Sequence, residues 1–137
     1  MDPGRRLRAL GWLAAAFVVA ATCSGCSSLS PDEDSAVRVA RTAHTIEDPA
    51  KACAALAPDV VSELEKSAGE PCMEALPEEL TATSGEVRST WAEGQSAQVV
   101  FQDDVVFLGL FDGRWKVTAM GCTPRHERPY DCAVKGS

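Results

Sequence analysis

The chain changes its hydrophobic rhythm three times. Ala9 to Thr22 is apolar apart from Gly11 and the closing Thr, and Arg5, Arg6 and Arg8 precede it. Ala14 to Ala21 offers no polar side for a helix to turn to water. Helical spacing follows: Ala36, Val39, Ala40 and Ala43 recur at i, i+3, i+4 and i+7, with Ile46 close behind. Arg38, Arg41 and His44 are read as lying off this stripe, which places His44 in solvent. Asp48-Pro49 supplies an N-cap and a proline at the first helical position for a second helix, "AKACAALA". Pro58 ends it and starts a third, "DVVSELEKSAG", where Val60 and Leu64 are i, i+4 partners and Gly69 is a C-terminal cap. "PCMEAL" adds a turn before Pro77. "PEELTATSGE" reads as a solvated loop.

The second half alternates as strands do. Glu86 to Trp91, Ser96 to Phe101, Val105 to Phe111 and Arg114 to Cys122 are the predicted strands. Asp112-Gly113 in "LFDGRW" is a two-residue hairpin turn that needs positive φ at both positions. That turn sets Phe111 opposite Arg114, Leu110 opposite Trp115, Leu108 opposite Val117 and Val106 opposite Ala119. Val106, Leu108, Leu110, Trp115, Val117 and Ala119 then share the core face. Phe107, Gly109, Phe111, Arg114, Lys116, Thr118 and Met120 share the other. A slip of one residue would bury Arg114 and Lys116, at a cost in unpaired charge. Helices followed by an antiparallel meander predict an α+β domain, with N-terminal helices on one face of a curved sheet of four or more strands.

Composition changes this picture at the N-terminus. The apolar run is shorter than the roughly 20 residues a spanning helix needs, and its basic flank is that of an export leader. Ser24-Gly25-Cys26 matches the small residues that precede the modified cysteine of a bacterial lipoprotein, with Cys23 standing where Leu is usual. The reading is a signal peptide over residues 1–25, then lipidated Cys26 and a flexible acidic tether through residue 34. A single domain follows over residues 35–137. "GRRLRAL" hints at a twin-arginine route but lacks most of that pattern.

The intact chain carries a net charge of −7, and loss of Asp2, Arg5, Arg6 and Arg8 would leave 19 acids against 10 bases, a net of −9. Nucleic acid is excluded as a partner, and attachment to the outer face of the cell membrane falls to the acyl chains. Cys53, Cys72, Cys122 and Cys132 remain. An even number of cysteines in an exported chain suggests two disulfides. Four cysteines allow three connectivities, and locality favours Cys53–Cys72 and Cys122–Cys132. Spacings of 19 and 10 do not suit a structural zinc site.

"DPAKACAALAPDVVSELEKSAGEPC", "GRWKVTAMGC" and "RPYDC" together resemble small exported proteins of high-GC Gram-positive bacteria with a nuclear-transport-factor-two-like fold. The resemblance spans about Ala36 to Val134. It implies helices closed over a curved sheet and an exported or lipid-anchored location. It implies no particular activity, since that cone hosts enzymes and non-enzymes alike.

Candidate chemistry is sparse. His126 lies among Arg125, Glu127 and Arg128 and reads as exposed. Neither histidine has a nearby Ser or Cys nucleophile, so no catalytic set, metal site or cofactor is assigned. Asp103-Asp104 reads as a turn between strands. The competing enzyme reading is an isomerase or cyclase acting on a small apolar substrate, with Asp103 or Asp104 as base and Tyr130 as hydrogen-bond donor. Trp91 and Trp115 are assigned to the core. Phe107 and Phe111 fall on the outer face, where either a partner surface or a covering segment such as "YDCAVKG" explains them. The functional expectation is a lipid-anchored, non-catalytic domain that binds a protein or a small apolar ligand.

Overall fold

The structure, a computed structural model, describes residues 29–80 and 84–137. The leader, Cys26 and part of the "PEELTATSGE" segment lie outside the described residues. Helix α1 spans Pro31–Ala43, α2 Pro49–Ala55, α3 Pro58–Ala68 and α4 Cys72–Glu79. Strands β1 Val87–Glu93, β2 Ser96–Phe101, β3 Val105–Phe111, β4 Arg114–Arg125 and β5 Arg128–Lys135 follow. The strands form one open antiparallel sheet in the order β1-β2-β3-β4-β5. Helix α1 packs across β1 to β4, and α3 against β4 and β5. The α+β class is as the sequence pattern requires.

Local chemistry starts and stops the helices. Asp48 accepts from the backbone N–H of Lys51 and caps α2, and Gly69 ends α3 at φ +75°. Helix α1 begins earlier than expected. Ser30 and Glu33 form a capping box, and Pro31 occupies the first turn, where its missing N–H costs nothing. Pro31 to Asp34, expected in a flexible tether, are therefore helical. Helix α4 runs through Pro77 to Glu79. The carbonyl four residues back, which loses its helical donor, belongs to exposed Met73.

The core is built from small and branched side chains. Ala36, Ala40 and Ala43 of α1 are fully buried against Val99, Val106 and Val117 of the sheet, with Leu56, Val60 and Leu76 filling between. The β3–β4 register agrees with the expected one from Phe111↔Arg114 through Leu108↔Val117, then slips: Phe107, not Val106, faces Ala119. Thr118 is the extra residue of a bulge, and every β4 side chain beyond it changes face. Met120, expected outside, is fully buried, and Ala119 leaves the core for an intermediate position. At the bulge the carbonyl of Val117 accepts from Ala57 at 2.8 Å, so the α2–α3 junction covers the edge of β4 that β5 does not reach.

Trp115 is buried as expected, but Trp91 is 50 % exposed. On edge strand β1 alternation turns Ala92 to the core and Trp91 to the opposite face. The segment "TPRHERPYDC", expected as an excursion, is a hairpin. Strand β4 continues to Arg125, turns through exposed His126 and Glu127 (φ +58°), and returns as β5. Cys53 is bonded to Cys72 and Cys122 to Cys132, the latter two directly opposite in the β4–β5 ladder.

Candidate functional site

Strand β4 outruns β3. Beyond Val105 the N–H groups of Gly121 and Cys122 have no β3 residue to pair with, and a buried N–H left unpaired is costly. Asp104, the residue immediately before β3, fills the gap. Its Oδ1 accepts from the N–H of Cys122 at 2.8 Å and of Val105 at 2.7 Å, and its Oδ2 accepts from Gly121 at 3.0 Å. Gly121 itself sits at φ +64°, a conformation glycine adopts without strain. The fourth donor arrives from the helical layer: Nε2 of His44, at the C-terminal cap of α1, bonds to Oδ2 of Asp104 at 2.7 Å.

His44 is thus the opposite of a solvent-facing residue. Its side chain is 5 % exposed and that of Asp104 is 3 % exposed. His44 lies four residues after Ala40 and so continues the buried face of α1 rather than its wet side. Its Nδ1 faces the carbonyl oxygen of Ala40 at 2.8 Å. A carbonyl only accepts, and Asp104 already receives three other N–H groups. The Nδ1 that faces the carbonyl is therefore a donor, and the carboxylate is surrounded by N–H groups. The ring of Phe101 meets His44 edge-on at 5.4 Å, and the guanidinium of Arg41 lies 5.5 Å from the Phe101 centroid.

The electrostatics agree with this donor count. Burial pushes the Asp104 carboxyl up, but the bonds from His44, Gly121 and Cys122 outweigh it and hold the group below the usual carboxylate range. A general base needs a lone pair free for a substrate proton. Asp104 directs all of its acceptor positions at protein N–H groups. It borders a cleft of about 140 Å³, with Glu79, Leu80 and Thr123 on the other walls. The carboxylate nevertheless acts as a clamp that joins α1 to β3 and β4.

The remaining candidates are scattered. Asp103 is exposed in the β2–β3 turn, as expected of a turn residue, and Asp104 is not. Tyr130 packs its ring edge-on against Phe107 at 5.1 Å, on the face away from the helices. Phe111 is 39 % exposed and its ring lies over Gly109. Among the described residues no group of three or more His, Cys, Asp or Glu side chains converges as a metal site.

A signal for the clamp was present in the chain: a histidine at i+4 from a buried Ala and an acid at the head of a strongly apolar strand. Their pairing was not readable, because it joins residues 60 apart. No protein-family model, curated protein or solved structure matches this chain.

Proposed function

We propose that the chain is an exported lipoprotein, held at the outer face of the cell membrane through Cys26, whose α+β domain is a non-catalytic binding module. The α+β architecture is compatible with a nuclear-transport-factor-two-like cone, and we include that fold assignment in the proposal. The observation that carries the reading is the use of cysteine on either side of position 26. Before it stand a basic flank, an apolar run and Ser24-Gly25. After it, all four cysteines are paired as disulfides, which fits a chain that matures in an oxidising compartment. Among the described residues no helix is long and apolar enough to cross a membrane, so attachment rests on the acyl group. The sealed His44–Asp104 pair supports binding over catalysis, and half-buried Phe107 with exposed Phe111 on the outer face supplies a surface.

Replacing Cys26 tests this. The native chain expressed in its host sediments with membranes and Cys26→Ser appears in the soluble extracytoplasmic fraction. Equal sedimentation of the two would refute the anchor.

A further inference from the structure

The molecule is electrically lopsided. Residues 29–80, the helical layer, hold twelve carboxylate side chains against four basic ones. Residues 84–137, the sheet, hold seven against six; with Asp104 paired to His44 and Asp131 to Arg125, five acids face five bases, so this layer is close to neutral.

The aromatic residues are lopsided too. Of the six Phe, Trp and Tyr residues described, Phe101 and Trp115 are in the core. Trp91, Phe107, Phe111 and Tyr130 are not, and Trp91, Phe111 and Tyr130 are 50, 39 and 38 % exposed. The sheet register gathers them. Trp91 faces Gln98, which faces Phe107, so these side chains share the outer face. Phe107 touches Tyr130, and the Phe111 ring covers Gly109 two residues away. Exposed rings gathered on one face, in a domain whose core is largely Ala and Val, mark a contact surface.

The start of α1 says what lies nearby. Asp32, Ser35 and Arg38 share a groove with Gly113, Arg114 and Lys116, which places the N-terminal half of α1 at the tip of the β3–β4 hairpin. Phe111 and Arg114 are opposite each other at that tip. Ser30 is four residue steps from Cys26, a span of at most about 14 Å. Resting on the lipoprotein reading above, the anchored membrane is therefore within reach of the aromatic face.

We infer that the outer face of the sheet docks on the bilayer that holds the anchor. Trp91, Phe107, Phe111 and Tyr130 seat in the headgroup region, where amphipathic rings are favoured. Arg114 meets the phosphates of anionic phospholipid. The acidic helical layer is repelled by the same lipids and turns to the aqueous side.

Tryptophan quenching tests this on the lipidated protein purified from membranes. It is reconstituted in vesicles of equal parts phosphatidylglycerol and phosphatidylcholine carrying brominated acyl chains. Trp115 is buried and Trp12 belongs to the leader, so quenching by bromine reports Trp91. Fluorescence should fall about twofold against unbrominated vesicles. Trp91→Phe should abolish that difference, and Phe111→Ser should reduce it while circular dichroism stays unchanged. Protein that sediments with the vesicles but shows no bromine effect overturns the docking and leaves the anchor standing. Protein that neither sediments nor is quenched overturns both.

Discussion

His44 at the end of α1 and Asp104 at the head of β3, 60 residues apart, share a 2.7 Å hydrogen bond between side chains that are 5 % and 3 % exposed. This bond closes the helical layer onto the sheet at the point where β3 stops shielding β4. Removing His44 leaves the buried carboxylate with only its three backbone donors, and removing Asp104 orphans His44 Nε2 together with the N–H groups of Val105, Gly121 and Cys122. Asp104→Ala should cost about 3–5 kcal/mol and His44→Ala less, both read from urea unfolding. The double variant should cost clearly less than the two added together. Additive losses would show that the residues do not act as a pair.

The carboxyl of Asp104 sets a pH dependence. Burial opposes its ionisation, yet the donors from His44, Gly121 and Cys122 win and lower its pKa in the folded chain. The unfolded chain then binds more protons in the acid range, so stability falls as pH falls. The contribution is whole above the ordinary carboxylate value of about 4 and disappears as pH drops through the folded value. Unfolding free energy measured at a series of pH values should decline on this limb in the native chain. Asp104→Asn should flatten it. An unchanged slope would mean that other acids carry the effect. The lowered groups Asp48 and Asp131 are on exposed ion pairs, which contribute little.

Gly121 lends the clamp one backbone N–H, beside that of Cys122. Its φ is +64°, and a Cβ there would stand 3.1 Å from the Cβ of Ala133. Gly121→Ala should destabilise by about 1–2 kcal/mol from the left-handed conformation alone, and Gly121→Val by more. Thermal unfolding of the two variants checks this, and a neutral valine variant would contradict the geometry.

The disulfides act on the unfolded chain. They close loops of 19 and 10 residues, each worth about 3 kcal/mol in the chain-entropy model. Cys53→Ala/Cys72→Ala and Cys122→Ala/Cys132→Ala should both lower the urea midpoint, the first slightly more. Native protein unfolded without reductant should show no thiol to Ellman's reagent.

Much of the fold was legible because it is local. Asp112-Gly113 needs positive φ at two positions and has it, at +49° and +74°; Asp48 caps α2, and Gly69 closes α3. The neighbouring cysteine pairs were legible for the same reason. What escaped depends on distant partners. The Thr118 bulge answers to the α2–α3 junction at Val117, so periodicity alone assigned Met120 to the wrong face. Trp91 is an apolar residue on a strand, and only its place on the edge strand reveals that it faces out. His44 and Asp104 each looked like surface residues until the chain brought them together.

Intact-mass analysis of the protein extracted from membranes of its own host bears most directly on the central proposal. A species beginning at Cys26, carrying a diacylglyceryl addition and lacking the hydrogens of two disulfides, is the result this account requires. A species that begins at Met1, with no acyl mass and with reduced cysteines, would contradict it.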